Sequence, residues 1–289
     1  MSDLDAAVAR AGDADTVVVM AGLIASEGDD LDSMNLPTDQ DRMVSALAAA
    51  NPRTVVVLKD SNPVLIPWID EVPAVLEAWN QGSEDGHAVG DLLLGVVSPS
   101  GKLPTTYPRT MDDLPTAGRP EWYPGTDEGD GYPTMHYGEG LQTGYRWYQS
   151  RGIEPLFPFG HGLSYTTFDL TDATVDAGAT PGDGPVTLRV TVSNTGERAG
   201  AEVVQVYLQL PESTDQPPRR LVGFSKVLLD PGASAPVEVV IDPAATNHPL
   251  SVWGLAEHAF VVPEGDFTVH VGTSSVATTA AGTFTVGSR

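Results

Sequence analysis

Residues 15–22 read Asp-Thr-Val-Val-Val-Met-Ala-Gly, and residues 54–58 read Thr-Val-Val-Val-Leu. Each stretch is a short, almost continuous apolar run rich in β-branched side chains, and the first one ends in a glycine turn. Such runs are typical of strands that are buried on both faces of a parallel sheet. Residues 74–79, Ala-Val-Leu-Glu-Ala-Trp, predict a third strand of the same kind.

Helical patterns alternate with these strands. Residues 38–50 predict an amphipathic helix whose N-cap is Thr38, and residues 83–94 predict a second helix. The buried face of the first helix is expected to contain Met43, Leu47 and Ala50. This alternation indicates an α/β domain with a mostly parallel sheet. In such sheets the loops after the carboxyl ends of the strands carry the chemistry, so the loop after Gly22 is the first place to search.

The apolar period changes to two from about residue 168 onward. Alternating apolar residues occur in four segments: Val186 to Val192, Val204 to Leu210, Val237 to Ile241 and Phe267 to Val271. About seven strands in about 120 residues predict an immunoglobulin-like sandwich, and the lack of a Cys…Trp…Cys signature favours a fibronectin type III-like variant. The predicted domains are an α/β domain at 1–110, a structured connector at 111–165 and a β-sandwich at 166–289.

Composition excludes several classes of function. The chain has 289 residues, with 15 basic against 39 acidic side chains and a net charge of −24, which argues against nucleic-acid binding. There is no cysteine, so a thiolate metal site and a cysteine nucleophile are excluded. No apolar run approaches the ~18 residues of a membrane span. Glycine-rich phosphate-binding motifs are absent after the strands, and neither a cofactor nor a metal ion is predicted.

The loop after the first strand contains the first candidate catalytic residue, Glu27. Its carboxylate is expected at the carboxyl edge of the sheet, close to several other acids: Asp29, Asp30, Asp32 and Asp39. Crowded carboxylates raise the pKa of the least solvated member, as a general acid requires. Two other interpretations stay open at this point, a solvated acidic loop and a divalent-cation site. Trp68 either stacks on a sugar ring or belongs to the core.

A series of motifs, in order along nearly the whole chain, resembles glycoside hydrolase family 3. Those resembling the second domain of its β-glucosidases are Ser26-Glu-Gly-x-Asp30, Ala50-Asn-Pro-x-Thr-Val-Val-Val-Leu58, Leu76-Glu-Ala-Trp79 and Pro99-Ser-Gly-Lys-Leu-Pro104. The connector adds Gly144-Tyr-Arg-Trp-Tyr148 and Pro155-Leu-Phe-Pro-Phe-Gly-His-Gly162. Val192-x-Asn-Thr-Gly196 and Gly223-Phe-x-Lys226 resemble the fibronectin type III-like domain that ends many members.

The resemblance implies a retaining β-glucosidase that uses two carboxylates. In this family the nucleophilic Asp belongs to an N-terminal barrel, and the Glu-Gly-x-Asp motif places the general acid/base on Glu27. Asp29, Asp30 and Trp68 are weaker candidates for substrate binding. Many members carry an Arg after the Asp of the motif, whereas Leu31 stands here.

The barrel of the family is not found in this sequence, and neither are the usual first strands of the second domain. We therefore expect an incomplete α/β domain with an exposed sheet edge and an exposed part of its apolar face. The chain is expected to need a barrel domain or subunit as a partner and to be inactive alone. The alternative is a non-catalytic module that binds carbohydrate or a protein. The sequence does not decide whether the chain forms a homodimer. Location is equally open, because a native N-terminus implies the cytoplasm and a missing upstream segment implies secretion.

Overall fold

The computed structural model describes residues 3–25, 27–28, 31 and 33–288. The chain forms two compact units. One comprises residues 1–94 and 107–114, and the other comprises residues 95–106 and 115–289. The predicted domain boundaries after residues 110 and 165 stay predictions, because a family domain and a compact packing unit need not coincide.

The first unit is an α/β unit built on a small parallel sheet. Its helices and strands are α1 (Asp3–Asp13), β1 (Val17–Gly22), α2 (Gln40–Ala50), β2 (Thr54–Lys59), β3 (Ala74–Glu77) and α3 (Asp85–Leu93). The three strands are parallel in the order β1-β2-β3. The predicted strands and both predicted helices are therefore confirmed, with the helices starting two residues later than expected.

The central strand β2 is buried on both faces, as the continuous apolar run predicts. Val56 and Val57 are fully buried, and Val57 packs against Val89 of α3. Alternate residues of β2 face α2, where the Thr54 hydroxyl donates a hydrogen bond to the Asn51 carbonyl oxygen at 2.7 Å. The two faces of the sheet are therefore covered by different helices around β2.

Strand β1 is exposed in a way that the sequence predicts. Among the described residues no strand pairs with the outer edge of β1. Val19 and Ala21 are buried on the α2 side, whereas Val18 and Met20 are 45% and 49% exposed on the other side. The expectation of an open edge and a partly exposed apolar face is thus confirmed for the described part of the sheet.

The start of α2 differs from the prediction. Thr38 is not the N-cap, because its φ is +61° and the helix begins at Gln40 after Asp39, which makes no side-chain capping bond. The side chain of Gln40 instead accepts a hydrogen bond from the Gly22 amide and donates one to the Gly22 carbonyl oxygen, both at 2.9 Å. This paired contact ties the start of α2 to the end of β1.

The buried face of α2 also differs from the prediction in part. Val44, Leu47 and Ala48 are buried, whereas Met43 and Ala50 are only partly covered. The helix α1, which the sequence pattern did not predict, packs against α2. Its C-terminal end is held by Asn51, whose Nδ2 donates to the carbonyl oxygens of Ala11 and Ala14 at 2.9 and 2.7 Å.

The second unit contains the predicted sandwich. Its long strands are β6 (Phe168–Asp176), β7 (Val186–Asn194), β8 (Gly200–Gln209), β9 (Arg220–Leu229), β10 (Ser234–Ile241), β13 (Gly265–Gly272) and β14 (Thr278–Val286). They form a three-stranded sheet in the order β10-β7-β6 and a four-stranded sheet in the order β14-β13-β8-β9. The apolar members of the four alternating segments are all buried in one core, which confirms the period-two prediction.

The segment before the sandwich contains little regular structure. It holds a two-residue hairpin, β4 (Thr126–Asp127) and β5 (Pro133–Thr134), and the short helix α4 (Tyr145–Arg151). A second hairpin, β11 (Val252–Gly254) and β12 (Ala259–Val261), lies between β10 and β13 in the chain. No helix in the described part of the chain has the length and apolar character needed to cross a membrane.

Candidate functional site

The candidate site lies at the carboxyl edge of the parallel sheet. The register aligns Gly22 at the end of β1 with Lys59 at the end of β2, and Leu58 with Glu77 at the end of β3. The loops that follow the three strands therefore leave the sheet from one edge. This is the position at which open parallel sheets bind ligands.

Glu27 lies five residues beyond the end of β1, in a turn with Gly28, and its side chain is exposed. Gly28 has a φ of +81°, in the left-handed region that favours glycine, so the turn explains the glycine of the motif. In the described part of the chain, the Glu27 side chain is therefore open to solvent.

The acidic residues around Glu27 are only partly described. Asp29, Asp30 and Asp32 lie outside the described residues, so the substrate-binding role of the first two stays a prediction. No group of three or more potential metal-ligating side chains occurs among residues 3–25, 27–28, 31 and 33–288. Leu31, which stands where many family members have Arg, is 39% exposed.

Trp68 is a core residue in this structure. Its side chain is fully buried, and its indole Nε1 donates a hydrogen bond to Asp41 Oδ1 on α2 at 2.8 Å. No ring face is open to a ligand. This placement favours the core interpretation of Trp68 over sugar stacking.

Two further carboxyl groups at the same sheet edge were missed by the sequence analysis. Asp60 follows β2 directly and is 1% exposed, and Glu77 ends β3 and is partly buried. Tyr107, also 1% exposed, donates its hydroxyl hydrogen to Glu77 Oε2 at 2.9 Å. Glu77 Oε1 accepts a hydrogen bond from the Trp79 amide at 2.8 Å. The signal that could have revealed this group is an acidic residue at the carboxyl end of each of two successive strands.

Burial and mutual repulsion perturb these carboxyl groups. Burial, followed by the negative charge of Glu77, raises the pKa of Asp60 to about 7. Burial also raises the pKa of Glu77, although hydrogen bonds from Trp79 and Tyr107 oppose that change. Burial and the neighbouring carboxylates raise the pKa of Tyr107, which therefore stays a hydrogen-bond donor throughout the physiological range.

The nearest lysine lies on the other face of the sheet. Lys59 alternates with Leu58 and Asp60 along the strand, so its side chain points to the α3 side. There it forms an ion pair with Asp85 at the start of α3. Asp60 and Glu77 therefore share a face without the cation that the sequence places beside them.

Comparison with known proteins identifies the family. The model of the glycosyl hydrolase family 3 C-terminal domain matches residues 1–165, and the model of the fibronectin type III-like domain matches residues 202–275. The chain belongs to glycosyl hydrolase family 3. The predicted fold class, an α/β domain followed by a fibronectin type III-like domain, agrees with this family.

Similar family 3 proteins are β-glucosidases. Thermostable beta-glucosidase B of Acetivibrio thermocellus is 40% identical over 272 residues, covering 92% of this chain and 34% of that protein. The crystal structure of DesR, a β-glucosidase from Streptomyces venezuelae in complex with D-glucose, superposes with a TM-score of 0.91 at 38% identity, covering 98% of this chain and 35% of that one. A Bifidobacterium adolescentis GH3 β-glucosidase gives a TM-score of 0.88 at 34% identity, covering 98% and 40%. The chain therefore spans roughly a third of the length of its relatives.

Proposed function

We propose that this chain is the C-terminal portion of a retaining β-glucosidase that hydrolyses terminal β-D-glucosyl residues. Glu27 supplies the general acid/base, and an Asp of a barrel domain or subunit supplies the nucleophile. The observation that supports this role is the position of Glu27, in its Glu-Gly-x-Asp motif in the loop that follows β1 at the carboxyl edge of the sheet, within a chain of this family.

The chemistry assigns one proton to Glu27 in each half-reaction. In a retaining enzyme the acid protonates the departing glycosidic oxygen while the nucleophile attacks the anomeric carbon, and the two carboxyl groups lie about 5–5.5 Å apart. The deprotonated Glu27 then takes a proton from the water that hydrolyses the glycosyl-enzyme intermediate. The barrel must therefore reach the exposed Glu27 turn and cover it from bulk solvent, while leaving room for the one water molecule that hydrolyses the intermediate.

The exposed face of β1 supports the need for another segment. Val18 and Met20 are about half exposed on the same strand whose end leads to Glu27. Burying such side chains is worth about 1.5–3 kcal/mol each when complete. A polypeptide that covers this face contributes stability and lies within a few residues of the catalytic candidate.

Leaving-group dependence tests the role of Glu27. The chain is fused to the N-terminal segment of the Acetivibrio β-glucosidase, and hydrolysis of an aryl glucoside with an activated phenol is compared with that of an alkyl glucoside. Glu27→Gln is expected to slow the alkyl glucoside by about 10²–10⁴-fold, because its leaving group needs a proton, and to slow formation of the intermediate from the activated substrate far less. Added azide is expected to restore turnover of the activated substrate, since an anion needs no general base.

Asp39→Asn is the matched control, because Asp39 is an exposed acid just before α2 and the change removes one charge without touching the motif. The control is expected to keep wild-type rates on both substrates. Equal slowing of both substrates by Glu27→Gln, with no azide rescue, would contradict the acid/base role. Turnover of an aryl glucoside by the unfused chain at the rate of the fusion would contradict the need for a barrel nucleophile.

A second candidate function, carbohydrate binding without catalysis, rests on the hairpin β11–β12. Trp253 and Phe260 are directly opposite each other across the hairpin and are 52% and 48% exposed. His248 stacks on the Phe260 ring with centroids 3.8 Å apart. These aromatic residues lie on a separate hairpin and not on the long strands of the sandwich.

Affinity electrophoresis in a soluble β-glucan tests this second candidate. Retardation of the chain is expected to be lost in Trp253→Ala and kept in Leu255→Ser, because Leu255 is exposed on the same hairpin but offers no ring. Equal migration of all three proteins with and without β-glucan would remove carbohydrate binding by this hairpin from consideration.

A further inference from the structure

Asp60 and Glu77 lie on one face of the parallel sheet, at neighbouring strand ends. Glu77 is aligned with Leu58 in the β2–β3 register, and Asp60 is two residues beyond Leu58. Since side chains alternate between faces along a strand, both carboxyl groups point to the side covered by α2. They are therefore neighbours because of strand register rather than sequence proximity.

The hydrogen-bond partners of the two carboxyl groups are unequal. Glu77 accepts two hydrogen bonds, from the Trp79 amide and the Tyr107 hydroxyl. Neither buried oxygen of Asp60 has a donor among the described residues. Its available neighbour is the Glu77 carboxyl, and two carboxyl groups can form a hydrogen bond only when one of them is protonated. A buried ionised pair would leave the Asp60 oxygens unsatisfied as well as repelled.

Two charged side chains of the same unit have other partners. Lys59 points to the opposite face and is paired with Asp85. On α2, Asp41 is an acid and accepts a hydrogen bond from Trp68. In the segment 107–114, Arg109 is exposed and Tyr107 is buried.

We propose that Asp60 and Glu77 hold a single proton between them at neutral pH and that loss of this proton loosens the carboxyl edge of the sheet. The shared proton gives Asp60 the donor that its surroundings lack and joins the ends of β2 and β3. The raised pKa of Asp60, about 7, supports this arrangement. This carboxyl pair lies at the same sheet edge as the Glu27 loop, but the proposal does not depend on the function proposed for Glu27.

The direction of the pH effect follows from proton uptake on folding. Between the ordinary pKa of 3.8 and the folded value of about 7, the folded chain keeps the proton and the unfolded chain releases it. The stabilisation that comes from the retained proton is therefore fully present below about pH 4 and is lost as pH rises through about 7. For one proton the folded-to-unfolded ratio of the α/β unit falls about tenfold per pH unit within this window.

Unfolding of the full chain by urea between pH 5 and 9 tests the proposal. Hydrogen exchange of the β2 and β3 amides reports on the stability of the α/β unit separately. Asp60→Asn cannot ionise and can donate to Glu77. We expect it to remove the tenfold-per-unit loss of protection between pH 5 and 7. Asp70→Asn, an exposed acid of the same unit, is the control and is expected to keep the wild-type pH dependence.

A second measurement decides the case if Asp60→Asn does not fold. In the wild-type chain labelled with ¹³C at the aspartate side-chain carboxyl, one resonance, that of Asp60, is expected to titrate near pH 7. Wild-type protection that does not change between pH 5 and 8, or labelled resonances that all titrate below pH 5, would overturn the proposal.

Discussion

Gly22 lies where β1 ends and the loop toward Glu27 begins, and one methyl group added there would collide with the backbone of β2. A Cβ at Gly22 would overlap the Lys59 carbonyl oxygen and lie 2.8 Å from its carbonyl carbon. These are backbone atoms of β2, so they cannot move aside as a side chain can. Gly22→Ala must therefore separate the two strands or displace the end of β1.

The size of this effect follows from the contacts that would be lost. The Gly22 backbone exchanges two hydrogen bonds with Gln40, and the Leu23 amide donates to the Lys59 carbonyl oxygen at 3.2 Å. Overpacking costs about 1–3 kcal/mol, and each lost hydrogen bond costs about 1 kcal/mol. We expect Gly22→Ala to lower the free energy of unfolding of the α/β unit by about 3 kcal/mol.

Gly90→Ala is the matched control for the same change in side-chain size. Gly90 is within α3, and an added Cβ there would meet no atom within 4 Å outside its own helix. Alanine in a helix interior is better than glycine by about 1 kcal/mol, so this variant is expected to be stabilised. Urea unfolding followed by amide exchange in β1 and β2 measures both variants. If Gly22→Ala is as stable as wild type while Gly90→Ala gains stability, the reasoning from backbone contact is refuted.

Two further predictions concern buried polar groups of the same unit. Trp68→Phe keeps most of the ring volume but removes the donor to Asp41. We therefore expect the free energy of unfolding, measured in urea, to fall by about 1–3 kcal/mol. An unchanged urea midpoint would show that the hydrogen bond contributes nothing. For Asp60, a folded pKa of about 7 against an ordinary 3.8 corresponds to about 4 kcal/mol at pH 8. Asp60→Asn is therefore expected to be more stable than wild type at pH 8, by up to that amount less its own packing cost, and to gain nothing at pH 4.

Much of the fold could be predicted because its signals are local. The buried faces of β7 and β10 follow from alternation within eight or nine residues, and the register of Val190 with Val237 only joins two patterns that each segment already carries. The same holds for β2, whose continuous apolar run indicates burial on both faces. In each case the periodicity of a single segment contains the information.

The errors come from interactions between segments that are distant in sequence. Thr38 has the residue type of an N-cap, but the Gln40 side chain ties the helix to Gly22, 18 residues earlier. The helix α1 has few large apolar residues, and its C-terminal end depends on Asn51, 37 to 40 residues later. Helix propensity and local sequence patterns do not reveal such contacts, because these contacts exist only after the sheet has formed.

The candidate site likewise has one part that the sequence predicts and another part that depends on contacts between distant segments. Glu27 could be named because its motif is contiguous, whereas Asp60 and Glu77 become a pair only through the β2–β3 register. The environment of Glu27 is not specified by its motif either. In the described residues Glu27 lies exposed in its turn, while a different carboxyl at the same edge, Asp60, has the burial that raises a pKa.

This contrast bears on how a catalytic proton is held in the proposed enzyme. A carboxyl stays protonated near neutral pH when it is desolvated or when it lies beside another carboxylate. Asp60 obtains both conditions from its own unit and has no route to a substrate, because its oxygens are buried. Glu27 has the access but not the burial. If Glu27 is the acid, a barrel that covers its turn would supply the burial that the described residues do not give it, together with the nucleophilic Asp. Enclosure of Glu27 and arrival of the nucleophile would then be one event, so the acid would be shielded from solvent only where a nucleophile is present to use it.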